Sequence, residues 1–202
     1  MGLRGPGAKP KRHTEDAEKP KRKRALPWKK KGLSRADRVI AFLEFLPVTK
    51  GIRAGHKMKL LDRQKAFIRD VYTEKFRVRI AIDSAPRGNG KTGMTAGLAL
   101  CTLLGPEAEP RGEVYSAAVD RTQSAKIFSE MEAIIFAVDE FKDRCNVKRH
   151  EKRIEVLEGD GAGSIYEAMS ADGRKGNSLA PSLWIYDELA QVNDFELLDN
   201  LE

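Results

Sequence analysis

Two cysteines in 202 residues, Cys101 and Cys145, cannot build a disulfide framework. A count this low suits a reducing compartment. The three histidines, His13, His56 and His150, show no metal-ligand spacing, and the nearness of Cys145 to His150 is incidental. No apolar run approaches the ~18 residues of a membrane-spanning helix, so no membrane is expected as a partner. The N-terminus has basic residues but no apolar stretch behind them, which excludes a secretory signal. Internal repeats are absent as well.

What is present suffices for one domain with a real core. Hydrophobic residues make up 41% and charged residues 33%, the balance of a soluble globular protein with polar appendages. The net charge of +7 is unevenly spread. Residues 1–32 hold 12 Lys and Arg against 3 acids, whereas residues 33–202 hold 25 against 27. The basicity therefore belongs to the tail. Rich in Lys, Arg, Gly and Pro, residues 1–32 have too few apolar side chains to offset their ordering entropy, and a disordered arm is expected there. Such an arm could neutralise nucleic-acid phosphates, or it could be a solvated tail.

The sharpest motif is Ser84-Ala-Pro-Arg-Gly-Asn-Gly-Lys-Thr-Gly93. It follows Val78-Arg-Ile-Ala-Ile82, which reads as part of a buried strand over Phe76–Ile82, and precedes Met94–Leu104, which reads as a buried helix. A glycine-rich turn between strand and helix, closing in Gly-Lys-Thr, is a phosphate-binding P-loop. Gly88 and Gly90 lack a Cβ, so the backbone can approach a polyphosphate, and the helix N-terminus favours the anion. Ala85, Pro86, Arg87, Gly88, Asn89, Gly90, Lys91 and Thr92 are the candidate nucleotide-binding residues; Ala85 stands where the pattern has its first glycine. Lys91 would reach the β- and γ-phosphates of ATP, and Thr92 would ligate Mg2+.

Around this motif the sequence alternates helical and extended signals, which predicts a three-layer α/β domain. A first helix is expected over Ser34–Leu46, capped by Ser34, with Val39, Ile40, Leu43 and Leu46 on one face. A second follows over Leu60–Tyr72, with Asp62 as its cap. Gln64 lies near its start. A glutamine amide can donate and accept at once, as the N6 and N7 edge of adenine requires, although an ordinary exposed helix glutamine fits the spacing equally. Glu113–Val119 reads as a strand, and Asp120 with Gln123 as a capping box for a helix whose stripe is Phe128, Met131, Ile135 and Val138. Val147–Leu157 suggests one or two strands that Ser164–Ser170 could pair with across the Gly159–Gly163 turn.

Leu183-Trp-Ile-Tyr-Asp-Glu188 is four apolar residues ending in two acids. As a buried strand it would project both carboxylates from its C-terminal end, where open α/β sheets bind ligands. Asp187 would then hold Mg2+, and Glu188 would polarise the attacking water. Arg87 could reach the γ-phosphate of its own ATP. Arg174 could act on a neighbouring subunit's nucleotide, or be an exposed loop cation.

Taken in order, Gln64, Arg87-Gly-Asn-Gly-Lys-Thr92, Gly173-Arg-Lys-Gly176 and Leu183-Trp-Ile-Tyr-Asp-Glu188 resemble the ATPase domain of tailed-bacteriophage terminase large subunits, over about residues 33–202. The resemblance implies a P-loop NTPase of the additional-strand type with a mostly parallel central sheet. It implies a motor in the host cytoplasm that uses ATP and Mg2+ to push double-stranded DNA into a preformed capsid. Its implied partners are a portal protein, a terminase small subunit and further copies of itself in a ring. By position, Gln64 would contact adenine and Arg87 the γ-phosphate, Thr92 and Asp187 would hold Mg2+, and Glu188 would be the catalytic carboxylate, with Arg174 matching a trans-acting finger loosely. Family members continue with a coupling motif, further strands and a nuclease domain, whereas 14 residues follow Glu188 here. The expectation is a truncated or split member, incomplete at the C-terminus, without DNA cleavage and not competent alone. Its sheet would have a gap between the acidic strand and the P-loop strand. Two alternatives are a helicase-type translocating ATPase and a non-catalytic DNA-binding prophage remnant.

Overall fold

The structure, a computed structural model, describes residues 25–86, 88–118, 121–170 and 180–187. Its sheet has five strands: β1 (Glu113–Ala118), β2 (Cys145–Lys148), β3 (Arg153–Val156), β4 (Ile165–Ser170) and β5 (Leu183–Asp187), in the order β2-β3-β4-β1-β5. β1 runs parallel to both β4 and β5, while β3 is antiparallel to both β2 and β4. The mostly parallel sheet expected from the resemblance is thus a mixed one: β2, β3 and β4 form an antiparallel meander. The two halves of Val147–Leu157 are its first hairpin.

Register explains where the core forms. Val147, Ile154, Tyr166, Val114 and Leu183 align in one row across all five strands, and Ser116, Ala168 and Ile185 line the same face. Side chains on a strand alternate between faces, so this face alone supplies the sheet's share of the main hydrophobic core. Helices α3 (Lys91–Leu104) and α4 (Arg121–Ala137) pack on the sheet and on each other. Phe128 of α4 stacks on Tyr166, whose hydroxyl is hydrogen-bonded to Ser116 at 2.6 Å. α1 (Arg35–Phe45) packs against both α3 and α2 (Asp62–Val71), and the described helices that touch the sheet core do so on this one face. A short α5 (Asp139–Lys142) adds Phe141 to the core.

Local chemistry sets the helix ends. The Ser34 hydroxyl accepts from the Asp37 N–H at 3.1 Å and so caps α1, and the expected stripe of Val39, Ile40, Leu43 and Leu46 is buried. α2 is capped differently from expectation. Asp62 sits in its first turn, and Gln64 reaches back to take the Leu61 N–H at 2.8 Å. Asp120 and the side chain of Gln123, the expected capping box of α4, lie outside the described residues.

Two further expectations change. Residues 1–24 of the arm expected over residues 1–32 lie outside the described residues, and residues 25–32 belong to the fold. Pro27–Lys29 form one turn of 3-10 helix, and Trp28, 3% exposed, packs edge-on against Phe42 at 4.8 Å and Phe45 at 5.2 Å. One large aromatic buried this well outweighs the lysines beside it, which point to solvent. The strand expected over Phe76–Ile82 does not form. Phe76, Ile80 and Ile82 are 64%, 70% and 75% exposed, and the segment forms no strand ladder. Among the described residues this apolar run pairs with no strand, and the outer edge of β5 is open.

Both cysteines are free. Burial raises the Cys101 thiol far above its ordinary range and pushes Cys145 up to about 11, so neither is a ready nucleophile. Among the described residues no helix is long and apolar enough to cross a membrane.

Candidate nucleotide-binding site

The glycine-rich turn is shaped by its own bonds and held by α2. Gly88 and Gly90 adopt φ of +84° and +71°, the left-handed region that side chains disfavour. Asn89 closes the turn by donating from Nδ2 to the Pro86 carbonyl at 3.2 Å. Gln64, 5% exposed, donates from Nε2 to the Asn89 carbonyl at 3.1 Å. Because its Oε1 accepts from Leu61, both ends of the amide are in use, and those two partners fix which end is oxygen. Arg63 donates to Asp83 Oδ1 at 2.8 Å, fastening the chain just before the turn. Position and spacing allow Gln64 two readings, adenine contact or exposed glutamine. Its observed position is a buried tether between α2 and the loop. Arg63 and Asp83 were not foreseen; a charge pair 20 residues apart carries no periodic signal.

α3 opens immediately after the turn. Its first intrahelical bond is Met94 N–H to the Gly90 carbonyl at 3.0 Å, and no side chain caps its N-terminus. The N–H groups of the first turn are therefore uncapped, and no acid lies among them to oppose an anion. Lys91 is half-buried and Thr92 exposed.

The direction of α3 relates this turn to the acidic strand. Its C-terminal end leads through residues 105–112 into the start of β1. There the Leu103 carbonyl oxygen lies 2.0 Å from where a Cβ on Gly161, ahead of β4, would stand. The C-terminal end of α3 thus sits at the entry end of the parallel strands. A 14-residue helix is about 21 Å long, so α3 carries Lys91 toward their exit ends. Asp187 is at that exit end: it closes β5 in register with Ala118, the last residue of β1. Beside it, burial raises the Tyr186 hydroxyl above its ordinary range and keeps it protonated. One strand over, Tyr115 packs against Trp184 with ring centres 5.7 Å apart and donates to Glu113 at 2.8 Å. Arg87, Arg174 and Glu188 lie outside the described residues.

Comparison with known proteins is specific. The family model described as "Terminase large subunit, ATPase domain" matches residues 63–202. The chain is 36% identical over 161 residues to the terminase large subunit of Enterobacteria phage HK97, an alignment covering 79% of this chain and 31% of that protein. The crystal structure of the HK97 large terminase superposes with a TM-score of 0.72 at 34% identity, covering 84% of this chain and 34% of that one. The chain therefore spans about a third of the length of these relatives. With a mixed five-stranded α/β fold, a glycine turn opening a helix and an acidic residue closing a parallel strand at the same end, the chain belongs to the terminase large subunit ATPase domain family.

Proposed function

We propose that this chain is the ATP-binding and ATP-hydrolysing part of a motor that drives double-stranded DNA into a procapsid. The observation that carries the reading is the preformed phosphate loop. Two left-handed glycines, the Asn89 closure and the Gln64 tether hold it ready at an uncapped helix N-terminus. Such a terminus binds phosphate through its N–H groups and dipole. Lys91 adds a cation in the first turn.

The residues present also fit a hard divalent cation. Mg2+ keeps several waters and is bound through one or two protein oxygens plus substrate phosphates, so no cage is needed. The Thr92 hydroxyl and Asp187 carboxylate are the donors that would hold it, and when bound it neutralises charge on the β- and γ-phosphates. Ala85, Pro86, Gly88, Asn89 and Gly90 shape the cradle. Gln64 retains one amide N–H and one lone pair for adenine after its two structural bonds. Glu188 is proposed as the carboxylate that polarises the attacking water. Arg87 and Arg174 are proposed to stabilise transition-state charge, in cis and from a neighbouring subunit. At the level of the assembly, the reading includes a ring of copies on a portal protein, with a terminase small subunit, in the host cytoplasm.

Binding of a fluorescent ATP analogue to the 202-residue chain tests the site. Lys91→Ala should weaken binding at least tenfold with the melting curve unchanged, and Asp187→Asn should remove the Mg2+ dependence. Equal affinity in the Lys91→Ala chain would overturn the proposal.

A further inference from the structure

Between α1 and α2 the chain makes a tight hairpin. Pro47 and Lys57 form a single antiparallel bridge. The Val48 N–H donates to the His56 carbonyl at 2.8 Å, the Gly55 N–H to Val48 at 2.9 Å, and the Met58 N–H to Leu46 at 2.8 Å. The tip is closed by Ala54 N–H to Gly51 and His56 N–H to Arg53, both at 3.0 Å. Residues 50–59 include Lys50, Arg53, His56, Lys57 and Lys59 and no acid. This is a local departure, because residues 33–202 as a whole carry slightly more acids than bases. At the tip, Ile52 is fully exposed.

The base of the hairpin is moored. Glu130 of α4, whose side chain is 10% exposed, accepts from the Thr49 hydroxyl and pairs with Lys50 Nζ at 3.3 Å. A carboxylate this buried requires neutralisation, and the hairpin supplies it. Lys57 lies over the Phe45 ring at 5.2 Å. Met58 borders the first turn of α3, its methyl 3.6 Å from where a Cβ on Gly93 would stand. Two cations are thus spent on anchoring, while the exposed side chains of Arg53 and Lys59 have no ion-pair or hydrogen-bond partner among the described residues.

We propose that the 47–59 hairpin is a contact for the phosphate backbone of double-stranded DNA, made through Arg53 and Lys59 with Ile52 against the sugar edge. The proposal rests on the reading of the chain as part of a DNA-translocating motor. A polyanion suits cations that have no acceptor partners. A protein partner suits the patch poorly, because one exposed isoleucine falls far short of the roughly 800 Å² that each side of a stable protein interface buries.

The experiment is a salt titration of the full chain binding a 30-base-pair duplex, followed by fluorescence anisotropy. Each lost phosphate contact lowers the slope of log affinity against log salt by about 0.9. The Arg53→Gln/Lys59→Gln chain should therefore show a slope shallower by about 1.8 and at least tenfold weaker binding at low salt. A control pair, Lys126→Gln/Lys142→Gln, removes two exposed cations elsewhere and should leave the slope unchanged. All four side chains are exposed, so both variants should melt with the parent. An unchanged slope in the hairpin variant, or an equal change in the control, overturns the proposal. A parent chain that binds ATP but no duplex overturns it while leaving the nucleotide site standing. Failure to bind either ligand removes the motor reading as well.

Discussion

Two apolar segments of similar pattern meet opposite fates. Val114-Tyr-Ser-Ala-Ala118 is buried throughout, flanked in the sheet by β4 and β5. Val78-Arg-Ile-Ala-Ile82 has no regular structure and is mostly exposed. Hydrophobicity does not separate them. A strand forms when its N–H and C=O groups find a ladder on at least one side. Residues 113–118 have a ladder on both sides, whereas residues 76–82 pair with no described strand, even though the outer edge of β5 is open. Apolar side chains alone do not create a strand; they bury one that pairing has already placed.

The comparison can be broken by substitution, and the effects should fall in a definite order. Ile154 is fully buried in the row shared by all five strands, so Ile154→Ala should cost about 2–5 kcal/mol in denaturant unfolding. A loss under 1 kcal/mol would mean that the helices do not pack on this face. Gln64→Ala sits at the junction of the two regions. Removing both amide bonds should lower stability by about 1–2 kcal/mol and weaken ATP-analogue binding severalfold, since the loop loses its tether. Unchanged nucleotide affinity would show that the loop holds its shape without α2. Ile82→Ala should shift stability by no more than about 0.5 kcal/mol, because the side chain is already in water. A larger loss would show that residues 76–82 do find a partner in solution.

Much of the architecture was legible because periodic burial leaves a periodic sequence. α1 carried its cap and its stripe, the two halves of the β2–β3 hairpin alternated, and Leu183–Asp187 announced a strand by four consecutive apolar residues. The glycine turn was legible for a different reason: φ above zero at Gly88 and Gly90 restricts the residue type directly. What escaped was contact at a distance. Trp28 sits among lysines, and only the cleft between Phe42 and Phe45 makes it a core residue. Glu130 looks like any surface glutamate of a helix until Thr49 and Lys50 close over it. Gln64 invited an adenine reading because of its position in the order of motifs, yet its amide is first a bracket between Leu61 and Asn89. The strand expected at 76–82 failed for the complementary reason: the sequence shows which residues want burial, not whether a neighbour is present to provide it.

The mooring at Glu130 has a mechanical meaning. α4 lies against β1 and β4, so the Glu130 carboxylate links the base of the 47–59 hairpin to a helix packed directly on the sheet. Removing that carboxylate would leave the hairpin held by its own backbone bonds and its two flanking helices, with no brace to the sheet side of the molecule.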